Sequence, residues 1–487
     1  MVTIGFERHG TQPSMRGVLG ALLRAPTVSP TQREGAATGA PDLRPTPRLA
    51  GMACRPLCSL LRPRTRHTMT RGDRFIIEGG RPLRGSVRVS GNKNAADYAM
   101  AAALLTADDC VLENVPGIED VTHMSAILQN LGAEVERLSE SRLRINANKV
   151  SEFSAPSELV VNLRASFLVM GALLTRFGKA ACCPPGGDVI GIRPLDVHLA
   201  GFRALGAEVY RRGDQFVAEA ERLRGSRVVL DYPSVMGTLN VLLASTLAKG
   251  VTTIINAAAE PEVVMLAEML NRMGAKVRGA GGHTIEVEGV SELHGTTQRI
   301  LPDRLEAGTF ALAVAATRGE AEILDSIPEH LDALIFKLQE AGVRIRAVEG
   351  GLEVTGVDAY RAVPAQAVPY PGLATDLHPP LAAFLTQAKG VSVIHERVYD
   401  NRLLYISELR KMGADVVTAG QTAIVSGPTH LYGTPVRCMD VRAGASLVVA
   451  ALTAEGKTEI GDIQHLDRGY EALDEKLRSL GAAIERV

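Results

Sequence analysis

The chain has 487 residues, 46% hydrophobic and 22% charged, a globular balance over a length that suits two domains better than one core. Its formal net charge of −1 offers no general attraction to nucleic acid or to an acidic membrane surface. No apolar run reaches the roughly 18 residues that a membrane span needs; the best, 95–107, is short and interrupted by Asp97.

Residues 1–68 carry ten Arg and no Lys against Glu7, Glu34 and Asp42, about +7, and the remainder is about −8. With its Pro, Gly, Thr and Ala and no sustained periodicity, this segment reads as a disordered extension. An Arg-rich targeting peptide is one reading; a start at Met69 is the preferred one, because the prolines break any long amphipathic helix. Six cysteines, at 54, 58, 110, 182, 183 and 438, show neither a disulfide framework nor metal-ligand spacing. A reduced, cytoplasmic setting without a bound metal is expected.

The first chemical signal is Ser90-Gly91-Asn92-Lys93-Asn94, which ends a strand over 87–89 and opens a helix over 95–105. A lysine at a helix start is unfavourable unless an anion sits there. Arg164, in Asn162-Leu-Arg-Ala-Ser166, stands at another strand-to-helix junction. The loop Pro185-Gly-Gly-Asp-Val-Ile-Gly-Ile-Arg193 carries one acid, Asp188, and one base among three glycines. That composition suits a mobile lid over an anionic substrate, and equally an ordinary polar loop. Asp376, in Ala374-Thr-Asp-Leu377, is either the N-cap of the following helix or a carboxylate kept ionised by nearby cations, as a general base requires. Arg402, Arg442 and Arg468 follow, each read as preceding a helix. One such arginine is usually a surface residue; four, with Lys93 and Arg193, point to a cleft for carboxylate and phosphate.

An element of large apolar residue, Gly, Ala, polar residue and Val recurs along the chain. It appears as Leu131-Gly-Ala-Glu-Val135, Leu205-Gly-Ala-Glu-Val209, Met273-Gly-Ala-Lys-Val277, Ala341-Gly-Val-Arg-Ile345, Met412-Gly-Ala-Asp-Val416 and Leu480-Gly-Ala-Ala-Ile484. Its glycines are 74, 68, 68, 71 and 68 residues apart. Each follows a helical period, supplies a left-handed stop and leads into two strands, so 279–282 reads as a hairpin turn rather than a phosphate loop. Six units of about 70 residues cannot each form a core; they must share one, helices inward and sheets outward. The expected fold is α/β (α+β), a two-domain inside-out α/β barrel. Its domains are 69–92 plus 302–487, and 93–301, with the active site in the cleft between them.

These residues lie in motifs that run in order from about Phe75 to the end: SGNKNAA (90–96), LRAS (163–166), GGDVIGIRPLDVH (186–198), AAAEPEVV (257–264), LPDRLEAGTF (301–310), ATDL (374–377), YDNRLLYISELRKMGA (399–414), DVRAGASLVVAAL (440–452) and DRGYEALDEKLRSLGA (467–482). In them the chain resembles the enolpyruvyl transferases, specifically the UDP-N-acetylglucosamine 1-carboxyvinyltransferase family, whose fold is the inside-out barrel. The resemblance implies a cytoplasmic transferase of peptidoglycan synthesis. It would move the enolpyruvyl group of phosphoenolpyruvate to the 3′-hydroxyl of UDP-N-acetylglucosamine through a tetrahedral intermediate, with no metal or organic cofactor. By that resemblance Lys93, Arg193 and Arg468 hold the donor phosphate. Arg402, Arg442 and Arg468 surround its carboxylate, with Arg164 close by. Asp376 takes the sugar proton and Asn94 positions the sugar. Arg193, Pro194, Asp196, Val197 and His198 line the uridine, Ser234 and Val235 the diphosphate, and Val398 also contacts the acceptor.

Most of that family carry cysteine where Asp188 stands, and a minority carry aspartate. The resemblance gives Asp188 the roles of proton donor toward C3 and of control over product release, and implies insensitivity to the epoxide fosfomycin, which alkylates the thiol. Tyr232-Pro233 replaces a more basic pair of some members, Met236 stands where glycine is frequent, and Leu377-His-Pro-Pro380 is unusual. The alternatives are the shikimate-pathway enolpyruvyl transferase, acting on 3-phosphoshikimate, and a non-catalytic nucleotide-sugar binder. Small-molecule partners are expected, with the chain a monomer or weak homo-oligomer.

Overall fold

A computed structural model describes residues 72–188 and 190–487. The expected extension over 1–68, its start site, Cys54 and Cys58 lie outside the described residues.

The repeat unit shows most plainly over 227–288. The strand Arg227–Val229 leads into the buried helix Val235–Ser245, then the strand Val251–Ile255, the amphipathic helix Pro261–Arg272 and the hairpin Lys276–Arg278 with Thr284–Glu288. In the sheet, Val251–Ile255 lies parallel to Arg227–Val229 and antiparallel to Thr284–Glu288, which pairs outward with Lys276–Arg278. The parallel–antiparallel–antiparallel order recurs in five of the six sheets among the described residues; the sixth has three strands, with the bridge Ser154–Ala181 marking the missing place. The six motif glycines, 132, 206, 274, 342, 413 and 481, all adopt φ between 93° and 103°. A side chain is strained there, which is why glycine recurs at each helix-to-strand corner. The cluster 279–282 is a hairpin turn, as its sequence implies.

Inner helices are mostly apolar and buried on every face because neighbours cover them, with charged residues only in the first turn. Arg304–Ala316 is buried throughout, as is Val441–Thr453 up to Leu452 and all of His378–Leu385. Small residues let these helices approach closely. At Gly171 an added Cβ would lie 2.5 Å from the Asn240 carbonyl oxygen. Outer helices bury one stripe; Glu119–Asn130 buries Val121, Met124, Ile127 and Leu128.

The side chains form two hydrophobic cores, one from residues between Ala95 and Ile300, the other from Phe75–Val89 together with Leu305–Ile484. Two strands are exchanged along the chain: Arg84–Arg88 pairs with Glu320–Leu324, and Thr297–Arg299 with Asp109–Glu113. Phe75–Glu78 completes the last sheet between Lys457–Gly461 and Ala483–Arg486. The two crossings between cores run side by side, the Asn92 amide donating to the Leu301 carbonyl at 2.8 Å and the Asp303 amide to the Ser90 carbonyl at 2.9 Å. Among the described residues, no helix is long and apolar enough to cross a membrane, and the four cysteines are free and buried.

Candidate active site

Between the two cores lies a cavity of about 610 Å³. One side contributes the start of the helix Lys93–Ala102, the turn Arg164–Leu168, the loop 186–194 and the start of Val235–Ser245. The other contributes the turn Thr375–Leu377, the turn Arg402–Tyr405, the start of Val441–Thr453, and Arg468. Of the residues singled out from sequence, Lys93, Asn94, Arg164, Asp188, Arg193, Pro194, His198, Ser234, Val235, Asp376, Val398, Arg402, Arg442 and Arg468 all line it.

Asp376 sits between two guanidinium groups. Its Oδ1 accepts from Arg402 Nη2 at 2.6 Å and its Oδ2 from Arg442 Nε at 3.0 Å. Burial opposes its ionisation, but Arg442 and Arg402 outweigh burial and hold the carboxyl down at about 2. The carboxylate makes no cap for the helix His378–Leu385, so the N-cap reading is corrected; the paired charge on two arginines outweighs what a cap contributes. Both arginines are nearly fully buried, yet each leaves its Nη1 without a hydrogen-bond acceptor. Buried donors are normally satisfied. Arg402 Nη1 lies 3.6 Å from Asp440 Oδ1, beyond hydrogen-bond distance, and both arginines line the cavity, so the pair is a place for an anionic ligand that displaces Asp376.

A second charged cluster surrounds Lys93. The first residue of its helix, it follows Asn92, whose side chain caps Ala95. Its Nζ lies 2.7 Å from Asp120 Oδ2, and Asp120 Oδ1 accepts from Arg468 Nε at 2.9 Å. Burial works against the Lys93 ammonium, but Asp120 and Asp97 more than offset it. Arg468 Nη1 also donates to Asp188 Oδ1 at 2.9 Å. Arg468 follows the short helix Gln464–Asp467 and caps its C-terminus. That corrects its reading as a helix-start residue: four residues separate it from the next helix, Leu473–Ser479.

The loop 186–194 covers the cavity. Arg193 Nη2 donates to the Asp188 carbonyl at 2.7 Å, and Arg164 Nη2 donates to the Arg193 carbonyl. Burial, with Arg193 beside it, lowers the Arg164 guanidinium to about 10. Among the described residues no carboxylate lies within ion-pair distance of Arg164 or Arg193. The loop is pinned to the opposite side where the Ile192 amide donates to Asp400 Oδ1 at 3.2 Å. Gly191, at φ 132°, is needed there, since a Cβ would fall 1.9 Å from that same oxygen.

At the far end Ser234 caps its helix through the Gly237 amide at 3.1 Å, beside Tyr232, Pro233 and Met236. His198 is 1% exposed. Asn240 Oδ1 accepts from the Gly171 amide, so its Nδ2 donates to His198 Nδ1 at 2.9 Å and the ring proton lies on Nε2. Burial, reinforced by Arg164, depresses this imidazole to about 3. Two expected uridine-side residues are not on the wall. Asp196 is solvent-exposed in the first turn of Asp196–Ala204, and Val197 packs toward Gly237. Helical rotation between Pro194 and His198 turns them away. His378, in the unusual Leu377–Pro380 stretch, is buried against Glu396 Oε2 at 3.0 Å, and both prolines fit the first turn of the helix.

Asp120 was not singled out from sequence. In Glu119-Asp120 it looks like an acid that complements a helix start. The buried pair Arg304–Glu262, Nε to Oε1 at 3.0 Å, and Tyr399, whose ring lies 5.4 Å from the Arg402 guanidinium, also went unmarked, although the motifs at 257–264, 301–310 and 399–414 contain all three.

Residues 77–477 match the sequence family of EPSP synthase (3-phosphoshikimate 1-carboxyvinyltransferase). The chain is 47% identical over 413 residues, 85% of its length and 99% of the relative's, to UDP-N-acetylglucosamine 1-carboxyvinyltransferase 1 of Caldanaerobacter subterraneus subsp. tengcongensis. It is 46% identical over 416 residues, again 85% and 99%, to UDP-N-acetylglucosamine 1-carboxyvinyltransferase of Trichlorobacter lovleyi. Among solved structures it is similar to the enolpyruvyl transferase NikO from Streptomyces tendae, with TM-score 0.77 and 25% identity over 86% of this chain and 99% of that one. An EPSP synthase from Acinetobacter baumannii shares the fold, with TM-score 0.69 and 18% identity over 85% and 100%.

Proposed function

The chain belongs to the enolpyruvyl transferase family that includes EPSP synthase, and from that membership we propose that its cavity moves the enolpyruvyl group of phosphoenolpyruvate onto the 3′-hydroxyl of UDP-N-acetylglucosamine, releasing phosphate. This is the first committed step of peptidoglycan synthesis, carried out on small anionic substrates in the cytoplasm. The relatives at 43–47% identity all carry that acceptor in their names. The EPSP synthase structures match at 18%, a likeness of fold alone, so 3-phosphoshikimate is not the favoured acceptor. A non-catalytic sugar-nucleotide binder would not need Lys93, Asp376 and Arg468 together in one cavity.

The observation that supports this reading is the pair of cavity-lining arginines, Arg402 and Arg442, closed on an internal carboxylate, Asp376. The donor carboxylate would take them, loosening Asp376 from the clamp and freeing it to accept a proton. Lys93, Arg193 and Arg468 would hold the donor phosphate, with charge-assisted hydrogen bonds that also favour its departure. The acceptor would lie along Asn94, Arg164, His198, Ser234, Val235 and Val398, its 3′-hydroxyl toward Asp376.

The steps balance as an addition followed by an elimination. A proton adds to C3 of the donor while the hydroxyl oxygen bonds to C2 and its proton passes to Asp376. Loss of a C3 proton then rebuilds the double bond as the C2–O bond to phosphate breaks. Asp188 is the group for the C3 proton. Its bond to Arg468 must open first, and a phosphate dianion that takes Arg468 removes that partner.

Phosphate release with each acceptor tests the assignment. It should require UDP-N-acetylglucosamine; release with 3-phosphoshikimate alone would overturn it. At Asp188 the chain should lose no activity to fosfomycin with time, whereas Asp188→Cys should become inactivated progressively. Because a free thiol titrates near ~8.5 and a carboxylic acid near ~3.9, activity in Asp188→Cys should also persist to higher pH. An unchanged pH profile would speak against Asp188 as the acid.

A further inference from the structure

Asp97 has no place in the steps above, yet it lies one helical turn from Lys93 on the same helix, the i and i+4 positions that share a face. It is 0% exposed and neither carboxyl oxygen has a hydrogen-bond partner. An ionised carboxylate in such a place is costly, so neutralisation by a proton is the usual resolution. The charged groups that act on it are Lys93 on its own helix, Asp120 from Glu119–Asn130, and Arg468. Charged groups on the other elements packed against this helix are engaged elsewhere: Glu262 with Arg304, Arg176 with the Leu104 and Thr106 carbonyls, Arg164 with the Arg193 carbonyl, Asp109 with Arg144.

Lys93 and Arg468 supply two positive charges to this cluster; Asp120 and Asp188 supply two negative ones. With Asp188 on Arg468, as in the structure, these four charges balance before Asp97 is counted. An ionised Asp97 adds one unpaired negative charge beside Lys93, where the donor phosphate is to bind.

We propose that Asp97 is a proton-linked positioning residue for the donor phosphate: protonated, it leaves the Lys93–Asp120–Arg468 cluster ready for an anion, and ionised, it repels that anion. This rests on the reading of Lys93 and Arg468 as phosphate ligands. Burial, only partly offset by Lys93, raises the Asp97 carboxyl to about 7, so the change falls within the working range of pH. Phosphate arrival adds negative charge and strengthens proton binding at Asp97. Donor binding is thus coupled to proton uptake, and apparent affinity falls as pH rises through that range.

The test is KM for phosphoenolpyruvate, from phosphate release at saturating UDP-N-acetylglucosamine, in the wild-type chain, Asp97→Asn and Asp97→Leu. Titration of the donor's own phosphate is common to all three and cancels in the ratio. The wild-type KM divided by that of either variant should rise about tenfold, the equivalent of one pKa unit of coupling, from mildly acidic to mildly alkaline pH, with kcat ratios moving much less. A purely structural role would change stability and leave this ratio flat. Leucine fills the site without polar atoms and keeps the test open if asparagine folds poorly.

Thermal melting supplies a readout free of substrate. With the folded carboxyl raised above its unfolded value, the native state binds the extra proton, and stability is lost as pH rises toward the folded value. Asp97→Leu should therefore gain melting temperature over wild type at mildly alkaline pH, and gain less or nothing at acidic pH. A flat KM ratio in an active enzyme overturns the coupling alone. No acceptor-dependent release by the wild type at any pH overturns the functional reading, and this one with it.

Discussion

Asp376→Asn should lower kcat by about three orders of magnitude, in the range that loss of a positioned general base costs, while KM for UDP-N-acetylglucosamine changes only a few-fold. Asparagine keeps the size and one acceptor oxygen, so Arg402 Nη2, now 2.6 Å from Oδ1, retains a partner. What it cannot do is take a proton. The resting value near 2 is at odds with a basic role, because so acidic a carboxyl is a weak base. The contradiction is resolved by who holds the arginines. In the structure Asp376 occupies the fork that the donor carboxylate would take, and once displaced it loses the partners that depress it. The donor must then be bound before Asp376 becomes basic. Steady-state kinetics checks this; a kcat in Asp376→Asn within tenfold of wild type would remove Asp376 from the chemistry.

Arg442→Met should reduce kcat/KM for phosphoenolpyruvate by about two to three orders of magnitude, since breaking a buried charge pair by removing one partner costs several kcal/mol. Arg442 is 3% exposed, and its guanidinium lies 5.0 Å from the Tyr470 ring as well as against Asp376. Its removal takes away one guanidinium of the fork and half of the Asp376 clamp together. Arg442→Lys should recover only part of the loss, because an ammonium cannot reproduce the planar fork. Circular dichroism and melting of both variants separate lost binding from lost fold. A methionine variant with unchanged kcat/KM would show that the donor carboxylate binds elsewhere.

The architecture was legible because it is written locally. A left-handed glycine at 132, 206, 274, 342, 413 and 481 marks each helix end, and past its first turn a helix such as Arg304–Ala316 is too apolar to face water. The cationic residues were legible as types at junctions. Their pairing was not: Asp376 meets partners 26 and 66 residues away, and Asp120 meets Arg468 across 348. No local pattern encodes such distances. Asp120 carries the ordinary signature of a helix first turn, and Asp97 reads only as an interruption in an apolar run. Asp196 and Val197 lie in the same contiguous motif as Pro194 and His198 but outside the cavity lining, because successive helix positions point in different directions.

The central claim is that the cavity joins the acceptor oxygen to C2 of the donor and breaks the C2–O bond. Phosphoenolpyruvate labelled with oxygen-18 in the bridge between C2 and phosphorus tests it directly, in ordinary water with UDP-N-acetylglucosamine. Released phosphate should carry the label, and a sugar nucleotide bearing the enolpyruvyl group should form in equal amount. Label retained in pyruvate, with phosphate taking its oxygen from water, would contradict it.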